Sequence, residues 1–125
     1  MRIITEHCTN PVNKAITVTA DDQDPENGNA SHKYGMAYQH GTGETSSAYQ
    51  TLLFQHGPIG EVGVNGVTNE VLLVIVADRL RGFQSSKFAC VENAAALSFV
   101  ENALAALESR TRNREARQVE GTHEV

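Results

Sequence analysis

Two apolar stretches in the second half of the chain, separated by a short polar interruption, constrain the fold more than any other feature. Between Val91 and Arg112 the residues Leu97, Val100, Leu104 and Leu107 stand at i, i+3, i+7 and i+10, the spacing of one helix face. Ala94, Ala95, Ala96, Ala103, Ala105 and Ala106 lie between them, favour helix intrinsically and let a partner helix approach closely. Upstream, Val71 to about Gln84 has helical length, with Leu72, Val76, Leu80 and Phe83 on one stripe. The run Val71–Ala77 taken alone fits a strand equally well. Thr68 as N-cap, Glu70 in the first turn and the polar sequence from Asp78 to Arg81 favour a helix. Gly82 and Ser85-Ser86-Lys87 break the pattern. The expectation is an antiparallel helical hairpin whose second helix ends at Arg112 or reaches Arg117. Apolar residues around most of the first helix require burial on two sides, by a sheet and by another helix or subunit.

The first sixty residues have a different texture. Arg2–Thr5 and Lys14–Thr19 are short β-branched runs, with Asn10-Pro11 breaking between them. Asp21–Ser31 is acidic and turn-rich, which reads as an exposed loop. Tyr34–Gln39 and Ala48–Gln55 read as two further strands joined by a turn over Gly41–Ser47. The fold class is therefore α+β: a small antiparallel N-terminal β region over residues 1–60, a helical hairpin over 61–118 and a polar tail over 119–125. At 125 residues these form one compact domain. Aromatics make up only 6% and tryptophan is absent, so the core must be aliphatic.

Charge narrows the function. Ten basic against fifteen acidic side chains give a formal net charge of −5, which excludes the broad basic surface that DNA or RNA polymers require. The imbalance is local: residues 1–78 carry three basic and nine acidic groups, residues 79–125 seven and six. An anion site therefore belongs to the second part. The cysteines, Cys8 and Cys90, are too few and too far apart for a disulfide framework. Met1–Thr19 lacks a charged start followed by an apolar core, and Val71–Ala77 is too short to span a bilayer. The expectation is a soluble intracellular protein without a membrane partner.

Four features could carry chemistry. Arg110, Arg112, Arg114 and Arg117 form a row, and in a helix Arg110, Arg114 and Arg117 share a face at i, i+4 and i+7. Guanidinium forks so placed suit a phosphate or pyrophosphate, or else offset the helix dipole in solvent. Gly57, Gly60, Gly63 and Gly66 precede the first helix, as an ordinary connector or as backbone that approaches a phosphate; neither P-loop nor dinucleotide spacing is present. Phe83, and equally Phe88, is a core aromatic or a base-stacking platform. The Asn93 amide caps the second helix or reads a base edge. His7, His32, His40, His56 and His123 show no HxxxH spacing, so no metal or cofactor is expected. His7 adjoins Cys8 without the local signature of a nucleophile. No serine elbow, paired-carboxylate motif or kinase signature appears, and the chain reads as a binding protein rather than an enzyme.

From Phe54 to His123 the chain resembles the phage Thoeris anti-defence proteins of the first described type, whose helical hairpin is shared with the phage anti-CBASS sponges. The resemblance rests on FQHGPIGEVGVNGVTNEVLL, DRLRGFQ, FACVENAAAL and RTRNREARQVEGTH, about seventy residues in unbroken order. It implies a protein in the cytoplasm of the bacterial host that sequesters glycocyclic ADP-ribose signals made by TIR-domain immune enzymes and does not degrade them. Some relatives also bind cyclic trinucleotides at a separate site. It implies homodimers and, in some members, hexamers built as trimers of dimers. By motif, Phe83 and Asn93 would meet the adenine, and Arg110 and Arg114 would hold the phosphates. A second, cyclic oligonucleotide site would fall by position on Gly63, Asn65 and Lys87, although Ser85-Ser86-Lys87 departs from the glycine common there. The rival readings are an enzyme that hydrolyses the cyclic nucleotide and a structural phage protein that uses the hairpin only for assembly.

Overall fold

The computed structural model describes residues 1–42 and 46–122, and the chain divides into two compact units, Met1–His56 and Gly57–Val125. The first unit is a four-stranded antiparallel meander of β1 (Arg2–Ile4), β2 (Thr17–Ala20), β3 (Lys33–His40) and β4 (Ser46–Leu53), hydrogen-bonded in that order. Ile3 pairs with Thr19, Thr19 with Gly35, and Gly35 with Thr51, which fixes the register across all four strands. Gly35 is there because space is short. A Cβ at that position would stand 2.3 Å from the Tyr49 hydroxyl and 2.8 Å from Thr19 Oγ1.

The expected strand over Lys14–Thr19 begins late. Pro11–Lys14 forms a single helical turn, α1, because Asn10 Oδ1 accepts the Asn13 N–H at 2.9 Å and Pro11 stands in the first turn, where no N–H is needed. The fourth strand starts at Ser46, two residues before the expected Ala48 and inside the expected turn, and Ser46 and Ser47 pair with His40 and Gln39. The rest of that turn, Gly43 to Thr45, lies outside the described residues. The acidic segment Asp21–Ser31 is more structured than an exposed loop. Asp24 caps a 3-10 turn over Pro25–Asn27, and Asp22 Oδ1 accepts the backbone N–H groups of His32 and Lys33 at 2.8 Å each. Those two bonds hold the Asp22 carboxyl below the ordinary carboxylate range, the Lys33 N–H first and the His32 N–H second.

The second unit opens with one helical turn, α2 (Ile59–Val62), inside the glycine-rich connector, followed by the hairpin of α3 (Asn69–Gln84) and α4 (Val91–Ala116). Thr68 caps α3 as expected, its hydroxyl accepting the Val71 N–H at 3.3 Å. Cys90 Sγ, not the Asn93 side chain, caps α4 by accepting the Asn93 backbone N–H at 3.4 Å. Asn93 sits at the third helical position, so its N–H is the one to be capped and its amide projects elsewhere. The connection is organised by serine: Ser86 Oγ donates to the Phe83 carbonyl at 2.7 Å and accepts from the Phe88 N–H at 3.1 Å.

Helix α4 turns Leu97, Val100, Leu104 and Leu107 inward as the spacing predicts, all four at least half-buried. On α3 Leu72, Leu80 and Phe83 of the expected stripe are at least half-buried, and Val76 departs from it. Val76 is 45% exposed, whereas its neighbour Ala77 is fully buried. The small alanine takes the fully buried position and the larger valine beside it stays at the surface. The Arg81–Glu101 pair, 3.2 Å apart, crosses between them. Val71, Val74, Ile75 and Val76 remain exposed in the single chain, as do Val91 and Phe99 on α4.

Candidate ligand-binding site

The helix geometry sorts the candidate residues into two groups. Phe83 is the penultimate residue of α3 and Asn93 the third of α4, so both stand at the bend of the hairpin, with Lys87 in the connection between them. Arg110 and Arg114 lie near the end of α4. Asn93 and Arg110 are therefore separated by about 26 Å along the helix axis, at about 1.5 Å per residue. Gly63 and Asn65 precede the other end of α3, about 24 Å of helix from Lys87. A single chain places Phe83, Lys87 and Asn93 at the same end of the hairpin. It does not bring any of them to Arg110 and Arg114, nor Gly63 and Asn65 to Lys87.

At the bend, Phe83 is half-buried and meets Phe88 edge to face, with ring centres 6.3 Å apart. The Arg79 guanidinium lies 5.1 Å from the Phe83 ring centre, and Lys87 Nζ lies 5.3 Å from that of Phe88. Two rings, each with a cation, make a positively charged aromatic surface suited to a purine carrying phosphates. Arg79 was not singled out by its motif; its only sequence signal is a position four residues before Phe83 on the same helix face. Asn93 is half-buried, and its side-chain amide makes no hydrogen bond among the described residues.

At the far end the arginines are not equivalent. Arg114 continues the inward stripe from Leu107 and is 5% exposed. Its Nε donates to Glu120 Oε2 at 3.1 Å, and Nη2 donates to the Val119 and Thr122 carbonyls at 2.9 and 3.2 Å. Arg114 thus holds the chain beyond α4 folded back. The same fold-back is gripped from the other side, where the Gly60 N–H donates to the Gly121 carbonyl at 3.3 Å. The glycine connector, the arginine row and the Val119–Thr122 segment, far apart in sequence, therefore meet at one corner. His123 to Val125, the end of the last motif block, lie outside the described residues.

Arg110 is exposed and, with Ser109, Asn113, Arg114 and Arg117, lines a concavity of about 520 Å³. Arg110 and Arg117 bring exposed guanidiniums to this wall, a pairing suited to an anionic group, while Arg114 contributes from a buried position beside Glu120. Arg117 is the C-cap of α4, and Arg112 faces solvent, as the dipole reading expects.

Two other clusters were not visible as motifs. Cys8 Sγ is 3.6 Å from His7 Nε2, but that nitrogen lies 2.6 Å from the Ile16 carbonyl and must carry its proton to donate there. It has no lone pair with which to activate the thiol. Asp24, His32 and His56, from three separate segments, bring one ligand atom each to within 4.8 Å of one another. No fixed spacing in the sequence could reveal this triad, because the sheet assembles it.

A family model described as the Acb2/Tad1 hairpin domain matches residues 49–112. Over 74 residues the chain is 54% identical to "Thoeris anti-defense 1" of Bacillus phage SBSphiJ7, a stretch that covers 59% of this chain and 52% of the relative. The chain thus spans about half the length of the curated relative it matches.

Proposed function

The chain belongs to the Acb2/Tad1 hairpin-domain family, and from that premise we propose that it is a phage anti-defence protein that binds cyclic nucleotide immune signals and sequesters them unchanged. Its ligand is a glycocyclic ADP-ribose, with cyclic trinucleotides as ligands of the second site, and it acts in the cytoplasm of the infected bacterium. The observation that carries this reading is the division of the motif residues between the two ends of the hairpin. An adenine platform at Phe83 and Asn93 and a phosphate clamp at Arg110 and Arg114 lie too far apart to grip one small molecule within a chain. A second copy, laid antiparallel, supplies the missing half. The exposed Val74, Ile75, Val76 and Phe99 are the kind of surface such an assembly buries. Gly63 and Asn65 against Lys87 pose the same problem and have the same solution.

Sequestration requires slow release and no bond breaking. Aromatic surface and guanidiniums provide attraction for a phosphorylated purine, and a pocket closed by two subunits buries more of it than one surface could. Titration calorimetry with glycocyclic ADP-ribose, followed by denaturation and chromatography of the released ligand, tests both parts. Saturable binding with recovery of intact ligand is expected. A linear product would replace the sponge with a hydrolase, and no heat with any cyclic nucleotide would leave only an assembly protein.

A further inference from the structure

The geometry points to a divalent transition-metal site, of the Zn²⁺ class, built by Asp24, His32 and His56 in the N-terminal unit. Asp24 Oδ2 stands 3.1 Å from His56 Nε2 and 3.3 Å from His32 Nε2. An ion bound tetrahedrally at about 2.0–2.2 Å from each ligand places those ligand atoms about 3.2–3.6 Å apart. Both separations to the carboxylate are at or near that value before any ion is added. Two imidazoles and one carboxylate are a borderline donor set that suits Zn²⁺, Co²⁺ or Ni²⁺ better than Ca²⁺ or Mg²⁺, and they leave a fourth position for water or another ligand.

Two further observations support the site. His32 Nε2 is buried and, although 3.3 Å from Asp24, has no hydrogen-bond partner among the described residues. A buried nitrogen left in this way is costly, and coordination would satisfy it. The carboxylate is also held in place from outside: Asp24 Oδ1 accepts the Glu26 N–H at 3.0 Å and Oδ2 accepts the Asn27 amide at 2.5 Å. Ligands are oriented in this manner in built metal sites. One adjustment is needed. The two imidazoles stack with centres 4.1 Å apart and planes 12° from parallel, and an ion must lie near the plane of each ring. The His56 side chain is 55% exposed, so its ring can turn out of the stack.

The ion would act as a staple. Asp24 belongs to the acidic segment after β2, His32 immediately precedes β3 and His56 follows β4, so one ion ties together three stretches of backbone at one end of the sheet. Ala20 is the buried apolar side chain of this unit among the described residues. Units with so little core commonly require a metal or a disulfide.

The test uses the full chain, stripped by chelator and titrated with Co²⁺ and then Zn²⁺. One equivalent of Co²⁺ per chain should give visible d–d bands that Zn²⁺ abolishes, and saturating Zn²⁺ should raise Tm by about 5 °C or more. His56→Ala, at an exposed position, and Asp24→Asn, which keeps an oxygen for the Glu26 N–H, should each lose the bands and the Tm shift. X-ray absorption of the Zn²⁺-loaded wild type is an independent check, with nitrogen and oxygen ligands and no sulfur expected. Binding of less than half an equivalent, a thiolate charge-transfer band from Cys8 or Cys90, or variants that bind as the wild type does would each overturn the site.

Discussion

Arg110 and Arg114 carry the same side chain on the same helix face, yet burial gives them different work. Arg114→Ala removes the donors to Glu120 and to the Val119 and Thr122 carbonyls that hold the fold-back, so it should lower stability by about 1–3 kcal/mol in chemical denaturation. Arg110→Ala, at an exposed position, should change stability by less than about 0.5 kcal/mol and still abolish the calorimetric signal of glycocyclic ADP-ribose. If Arg110→Ala bound as tightly as the wild type, the phosphate clamp would be wrong. Arg114→Ala alone cannot decide that question, because it also releases the fold-back. Asp22 offers a second test at this scale. Its carboxyl is held low by the Lys33 and His32 N–H groups, so its stabilisation is present above the ordinary carboxylate pKa and is lost as pH falls through the folded-state value. Asp22→Asn should lower Tm at pH 7, and the gap to wild type should close below about pH 4. The identity of the arginines could be read from the sequence. Which one is buried depends on residues 119–122, whose path no periodicity describes.

The ends of α4 are each capped by a second-best residue, and both can be improved. Cys90 uses a sulfur, a weak acceptor, for the Asn93 N–H. Cys90→Ser should stabilise the helix by about 0.5–1 kcal/mol. At the other end the Val119 N–H bonds to the Arg114 carbonyl and the Gln118 N–H to the Glu115 carbonyl, a Schellman closure with Gln118 at φ +58. Glycine is the residue that adopts this conformation without strain, so Gln118→Gly should add about 0.5–1 kcal/mol, measured by thermal or urea unfolding. The existence of both long helices was readable because their apolar positions repeat over several turns. Thr68 and the polar residues after Ala77 settled a run that periodicity left open. Short elements were less legible: α1 overrode the β-branched start at Lys14, since a capping asparagine and a proline act within four residues and leave no periodic trace.

At the scale of the whole molecule, the exposed apolar positions of the hairpin and the separated halves of the proposed binding site lead to the same proposal of a second copy. Ile75→Glu places a charge in a 59% exposed position, so the single chain should tolerate it, while analytical ultracentrifugation should show monomers and calorimetry should lose the ligand. Retained assembly and binding would remove this face from the interface. The sequence by itself determined that the chain has a β region and a helical hairpin, because hydrophobic spacing and caps act over a few residues and survive in one dimension. Its motif blocks also placed it in its family. Only the tertiary structure decided that Ala77 and not Val76 is buried, that Arg114 holds the fold-back, and that Asp24, His32 and His56 share one corner of the sheet. Those outcomes depend on distances between residues far apart along the chain, and such distances exist only once strands have paired and helices have packed.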